Sequence, residues 1–329
     1  MFEDLAMARI LERSARGRGM RLKILHVIVV VVALVALPVL GLAQGGLVQL
    51  GEGIYAYADV GGEDPNNVFA ANVGVVVGED GVLVVDTLTS AEEAEVLLAD
   101  IRGVTDKPIL YVVNTHYHLD HALGNNVFAR EGAVIIGHAR CREALLASGE
   151  EQLANPEMMG LPPDFWANTI IEAPTLAFEQ ELVIDLGGRT ATAKYLGWPS
   201  HSAGSVVVVL EQESVIFTGD ILFTDFHPFL GEGDLEGWAK TLDAIAAMDM
   251  EHIVPGHGPL STNQDLMDMK AYLAEFDAMA TELAASMDDP EQITAAMLEK
   301  LPQRSLGDFI VGFNIMMRYA PPGEGEYVH

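Results

Sequence analysis

Cysteine is almost missing from this chain: Cys141 is the only one in 329 residues. No internal disulfide can form, and no thiolate-rich metal site is available. Cys141 itself reads as a buried bystander. Basic residues are also scarce, 18 Lys and Arg against 48 Asp and Glu, for a formal net charge of −30. Such a surface repels nucleic acid and anionic membranes, so nucleic-acid partners are excluded and solubility is favoured. Long uncharged apolar runs are absent with one exception, the 19 residues at 24–42, interrupted only by His26 and Pro38.

That run is preceded by Arg9, Arg13, Arg16, Arg18, Arg21 and Lys23. A basic flank before an apolar core is the pattern of a signal peptide or an N-terminal membrane anchor, here residues 1–43. Gly41 and Ala43 place small residues ahead of Gln44, where a signal peptidase would need them. The basic flank stays in the cytoplasm, so residues from Gln44 on are expected outside it. They would be periplasmic or held at the outer face of the cytoplasmic membrane, with the leader as the only membrane contact. A start at Met20 would leave a leader of ordinary length, whereas translation from Met1 favours an uncleaved anchor. The leader holds six of the basic and three of the acidic residues, which leaves 12 against 45 in the exported part, a net −33.

Half of all residues are hydrophobic, so the remaining chain can bury a sizeable core. It contains an internal echo. Residues 72–86 read as strand, tight turn, strand and Asp86; a helical pattern at 91–101, a strand at 109–114 and His116 follow. Residues 205–220 repeat the order up to Asp220, followed by a helix at about 235–247, a strand at 252–254 and His257. A duplicated unit of this kind predicts two stacked sheets with helices outside, a four-layer αββα sandwich at 44–262. Helices at 266–287 and 293–301 and an apolar helix at 309–319 form a C-terminal extension, 263–329, expected to pack on the sandwich. Between the halves lies the segment 148–180, which contains a stretch at 155–166 too rich in Pro for regular structure. Met158, Met159, Phe165 and Trp166 suit a loop lying over a site or a partner.

The densest chemistry is Tyr-Val-Val-Asn-Thr-His-Tyr-His-Leu-Asp-His at 111–121. A buried strand gives way to His116, His118, Asp120 and His121 within six residues. His116 and His118 are two apart, so an extended backbone points both imidazoles to one face. Nitrogen and carboxylate ligands without thiolate suit zinc first, then iron or manganese. Three further strand ends or entrances carry metal-capable groups: His201 within Gly-Trp-Pro-Ser-His-Ser-Ala-Gly (197–204), Asp220 after Phe-Thr-Gly, and His257 within Pro-Gly-His-Gly-Pro (255–259).

Asp86, the cluster at 116–121, His201, Asp220 and His257, in that order, resemble the five motifs of the metallo-β-lactamase superfamily. The resemblance covers roughly residues 46–260. It implies a two-zinc site. His116, His118 and His201 would hold one metal, and Asp120, His121 and His257 the other. Asp220 would bridge them, and Asp86 would orient a ligand from behind. The implied reaction is hydrolysis by a metal-activated water, with Asp120 positioning the nucleophile or carrying a proton. Superfamily lactamases with Cys in place of Asp220 are excluded. Thioesterases that grip glutathione use an Arg soon after the bridging Asp, and residues 221–230 lack one. The resemblance is nearest to exported hydrolases found beside sulfur-oxidation and quinoprotein systems. The expected activity is a dinuclear metal-dependent hydrolase for a small ester, thioester, lactone or amide. Met158, Phe165, Trp166, Trp198 and His227, with Phe229, are candidate pocket residues. The alternatives are a mononuclear Fe2+ dioxygenase for a sulfur substrate and a non-enzymatic accessory protein of a periplasmic redox system.

Overall fold

A computed structural model describes residues 46–58, 67, 69–154 and 156–319. The expected leader and the tail from Pro321 lie outside the described residues. Among the described residues no helix is long and apolar enough to cross a membrane.

Two sheets stand face to face. The first has seven strands in sequence order: β1 (Leu47–Gly51), β2 (Ile54–Tyr57), β3 (Val73–Val77), β4 (Val82–Val85), β5 (Ile109–Val113), β6 (Val134–His138) and β7 (Leu176–Phe178). Pairing is antiparallel up to β4 and parallel from β4 to β7. The second sheet has five strands, β8 (Glu181–Asp185), β9 (Thr190–Lys194), β10 (Val207–Leu210), β11 (Val215–Phe217) and β12 (His252–Val254), with β11 and β12 parallel.

The two-residue alternation of valine-rich strands builds the layers, because both faces of each sheet are apolar and both need cover. Leu83 and Val85 of β4 face Val208 and Leu210 of β10 between the sheets. Val82 and Val84 face outward onto α1 (Ala91–Val104) and α3 (Asn125–Arg130), meeting Leu97, Ile101 and Phe128. Val207 and Val209 face outward onto α5 (Leu235–Ala246) and α6 (Asn263–Ala284), meeting Trp238, Leu242, Leu266 and Phe276. The result is the four-layer αββα sandwich. The echo is real at the level of topology: β3–β4–α1–β5 and β10–β11–α5–β12 are each a hairpin, a helix and a strand parallel to the second hairpin strand.

Two expectations need correction. The stretch 155–166 is not wholly irregular, because a short 3-10 helix (Pro156–Met159) lies within it, after α4 (Ala139–Ala154). The C-terminal helix is split into α8 (Asp308–Asn314) and a π-helical turn (Ile315–Tyr319). Only part of it packs inward: Val311 and Ile315 join the core with Met297 of α7 (Pro290–Lys300), while Phe309, Phe313, Met316 and Met317 face out.

Candidate metal centre

β5 ends at Val113, and the chain then turns sharply through α2 (Leu119–Ala122) into α3. A buried amide pair shapes that turn. Asn114 and Asn125 exchange hydrogen bonds of 2.9 and 2.8 Å, and Asn114 also donates to the His121 carbonyl at 3.2 Å. Backbone groups that leave a strand inside the protein need such partners. The other ligands come from the loop before β10 (His201), the turn after β11 (Asp220) and the turn after β12 (His257). Gly256 is required beside Asp220: a side-chain carbon there would sit 2.0 Å from Asp220 Oδ1 and 2.6 Å from the Gly219 backbone.

His116, His118, His201 and Asp220 each offer a ligand atom, all within 4.8 Å of one another; Asp120, His121 and His257 form a second such group. Hydrogen bonds behind the rings fix which nitrogen looks inward. His121 Nδ1 is 2.9 Å from Asp86 Oδ2, His201 Nδ1 is 3.1 Å from the Phe229 carbonyl, and His257 Nδ1 is 3.1 Å from the Ala70 carbonyl. Each partner can only accept, so each Nδ1 carries the hydrogen and each Nε2 turns a lone pair inward. Thr115 extends the logic to His116. Its hydroxyl donates to Asp86 Oδ2 at 2.7 Å, so it accepts from His116 Nδ1 at 3.0 Å. His118 is reversed, with Nδ1 inward, 2.7 Å from His201 Nε2.

These inward atoms test whether metal ions fit. Lone pairs 2.7 Å apart (His118, His201) and 3.4 Å apart (His121, His257) repel unless a cation or proton lies between them. His116 Nε2 and Asp220 Oδ1 are buried without a hydrogen-bond partner. Such orphans are costly in a finished protein. The donor set is nitrogen and carboxylate oxygen, as divalent cations of the zinc type prefer, and the residues fit.

The electrostatics agree. Burial would raise the pKa of Asp220, but His121, His257, His201 and His116 hold it well below the ordinary carboxylate value. Burial would lower His121, yet Asp220, Asp120 and Asp86 push it well above the ordinary imidazole value. His257 rises to about 9 by the same balance, against burial, through Asp220 and Asp120. Burial lowers His201 to about 3 and holds His116 well down as well. Protons therefore collect beside the carboxylates, where divalent cations would displace them.

The pocket candidates fare differently. His227 is buried and bonded through Nδ1 to the Tyr272 hydroxyl at 2.7 Å, so it belongs to the packing of α6 and does not line the centre. Trp166 is buried under the ligand turn. Its indole donates to the Thr89 carbonyl at 2.9 Å, and its ring packs with Ala122 and Leu123. It is a prop for the turn, not a cover. Phe165 is half-buried against Trp166, and Trp198 is 39% exposed in the loop before His201. The side chain of Met158 lies outside the described residues. Phe229 does reach the ligands, with its ring edge-on to His118 and His201.

Glu232 escaped the sequence reading. Its carboxylate accepts from the Tyr117 hydroxyl and lies 3.6 Å from His118 Nε2. Burial opposes its ionisation, but His118 and Tyr117 hold its pKa at about 2. It sits in a Gly-rich turn, Gly-Glu-Gly-Asp, that carries no signal of its own.

A sandwich with a His/Asp cluster of this kind at its strand ends defines a metal-binding protein of the hydrolase type. Residues 66–257 match the metallo-beta-lactamase superfamily, and the chain belongs to it. Among curated relatives it is 27% identical over 229 residues to a linear primary-alkylsulfatase of Pseudomonas sp., covering 59% of this chain and 43% of that one. It is 24% identical over 242 residues to the beta subunit of a 2,4-dinitroanisole O-demethylase of Nocardioides sp., covering 70% and 68%. In structure it resembles a sec-alkylsulfatase of Pseudomonas sp. with a TM-score of 0.62 at 20% identity, covering 84% of this chain and 50% of that one. The chain thus spans about half the length of the alkylsulfatases it matches.

Proposed function

We propose that this chain is a dinuclear metal-dependent hydrolase of a small ester, thioester, lactone or amide. The alkylsulfatase relatives widen the ester class to sulfate esters. One observation carries the reading: the two oxygens of Asp220 are divided between the two ligand groups. Oδ1 lies 3.0 Å from His121 Nε2 and 3.3 Å from His257 Nε2, while Oδ2 lies 3.3 Å from His201 Nε2 and 3.7 Å from His116 Nε2. A carboxylate held this way suits two cations better than the single iron of the dioxygenase alternative. Two zinc ions would supply Lewis acidity and an acidified water. The chain does the rest. His116, His118 and His201 would hold one ion and Asp120, His121 and His257 the other, while Asp86 and Thr115 fix the rings. Asp120 Oδ2 is engaged by His257 and His121, which leaves Oδ1 to take the proton of the attacking water and return it to the leaving group. The basic-then-apolar pattern of residues 1–43 supports a reaction outside the cytoplasm.

The test is metal quantification together with chromogenic ester, thioester, lactone, sulfate-ester and β-lactam substrates. Two zinc ions per chain and turnover of one class are expected. Asp220→Ala should lose metal and nearly all turnover with the fold intact, since one site does not decide the stability of a core this size. Full stoichiometry and near-normal turnover in that variant would make Asp220 a structural residue.

A further inference from the structure

The C-terminal helix turns an apolar face to solvent in a protein of net charge −30. Phe309, Phe313, Met316 and Met317 are 58%, 42%, 54% and 54% exposed. Phe309 and Phe313, four residues apart in α8, have ring centroids 6.4 Å apart, and Met316 and Met317 follow in the π-helical turn. The face is continuous with the metal centre. A side-chain carbon on Gly231 would meet the Phe229 ring at 2.6 Å and Met317 Sδ at 2.9 Å, so the two side chains flank the same spot. Phe229 in turn lies edge-on to His118 and His201, with ring centroids 5.7 and 6.1 Å away.

The helix also builds the wall of the site. Asn314, fully buried, accepts from the Leu230 backbone at 2.6 Å and donates to the Pro228 carbonyl at 2.8 Å. Arg318 donates to the Gly233 carbonyl at 2.6 Å. The loop that carries Phe229 and Glu232 is therefore pinned to α8 and its π-helical turn, an irregularity frequent at functional sites. We infer that this face docks the apolar chain of an amphiphilic substrate, whose polar head reaches the ligands past Phe229. The inference rests on the hydrolase reading and extends it to a substrate class. A macromolecule seated over Met317 would also cover Phe229, the side chain that stands edge-on to His118 and His201. A substrate chain fills the face and presents its own head group.

The test compares p-nitrophenyl acetate, butyrate and octanoate. Full burial of a methylene is worth about fourfold, so an open face should give about twofold per methylene in kcat/KM. The octanoate-to-acetate ratio should fall at least tenfold in the Phe309→Ser/Phe313→Ser/Met316→Ser variant. Calorimetry with monomeric octyl glucoside reads the face without turnover: saturable binding is expected, weakened at least fivefold in the triple variant. Phe313→Ser alone, with its melting temperature recorded, guards against misfolding. Binding of the glucoside without hydrolysis of any ester would leave the face standing and refute the hydrolase reading. An unchanged ratio and unchanged glucoside binding would overturn the inference. So would variant-sensitive binding to phosphatidylcholine vesicles, or a variant-sensitive dimer, without a chain-length effect. A chain-length effect that emerges only when residues 320–329 are deleted would assign the face to the tail and overturn it too.

Discussion

Asp86→Asn changes one oxygen to NH2 at constant shape, and the geometry says what should follow. Asp86 Oδ1 accepts from the Thr115 backbone at 2.7 Å, so the amide oxygen of Asn must stay there and NH2 must take the place of Oδ2. That position faces His121 Nδ1 at 2.9 Å and Thr115 Oγ1 at 2.7 Å. NH2 would donate to His121 Nδ1, which moves the ring hydrogen to Nε2, where the lone pair should meet a cation. It would also donate to Thr115 Oγ1, whose hydroxyl must then donate to His116 Nδ1 and reverse that ring as well. Both ligand groups lose a nitrogen lone pair. Changes behind metal ligands typically cost about 10- to 100-fold in metal affinity, or about 1.4–2.7 kcal/mol. The backbone should not object, since Asp86 has φ +66° and Asn tolerates the left-handed region well. Burial raises the pKa of Asp86 against the pull of His121, so the neutral amide also escapes a desolvation cost. The apo variant should therefore melt close to wild type while zinc, titrated against a chromogenic chelator, binds at least tenfold more weakly. Thr115→Val removes only the relay to His116 and should weaken one of the two binding events. Unchanged zinc affinity in Asp86→Asn would refute the tautomer argument.

Further outcomes follow from other parts of the site. Glu232→Gln keeps an acceptor for Tyr117 but removes the charge behind His118; because Glu232 is partly exposed and 3.6 Å away, zinc affinity should fall only about three- to tenfold. An affinity equal to wild type would make Glu232 a surface residue. Trp166→Phe loses the bond to the Thr89 carbonyl at about 1 kcal/mol, read as a lower melting temperature with KM unchanged; a changed KM with an unchanged melting temperature would restore the cover reading. His227, lowered from the ordinary 6.5 by burial and then by Arg304, is held neutral in the fold. The unfolded chain then binds the extra proton first, so its contribution to stability is present at pH 7 and is lost as pH falls below about 6.5. The stability gap between wild type and His227→Gln should shrink from pH 7 to 5 in urea melts, and a constant gap would contradict this.

The order of layers was legible because the pattern that specifies it is local. Each valine-rich run alternates over a few residues, and each hairpin precedes a helix of matching length. Six of the seven clustered ligands stand in short motifs at strand ends or within the turn that follows β5, and His201 introduces one. What could not be read were partners that meet across long separations. His227 stands near a metal motif in the chain, yet its partner Tyr272 is 45 residues on, in a helix whose facing side no local pattern marks. Trp166 read as part of a loop over the site because its contact, the Thr89 carbonyl, is a backbone atom 77 residues earlier. Glu232 meets Tyr117 over a separation of 115 residues. The starts of α6 and α7 slipped by three residues for a simpler reason. Thr262 with Asp265 and Asp289 with Pro290 begin α6 and α7 before their apolar stripes do.

The two halves also explain why Asp86 and Asp220, equivalent by position, do different work. Each follows the second strand of its hairpin, and each precedes the helix that leads to a parallel strand. In the first half the backbone turns left-handed at the aspartate itself, φ +66° at Asp86, and the carboxylate reaches the Nδ1 side of His121. In the second half the left-handed residue is Gly219, one position earlier, and Asp220 lies in a short 3-10 turn (Gly219–Ile221) with its carboxylate among the Nε2 atoms. Moving the unusual backbone angle by one residue turns the carboxylate from behind the ligands to between them. A side-chain carbon at 219 would lie 2.3 Å from Thr115 Oγ1, the atom that relays Asp86 to His116, so the glycine also lets the two halves approach. The duplicated unit supplies the place for two carboxylates, and the position of one left-handed residue decides which of them faces the metals.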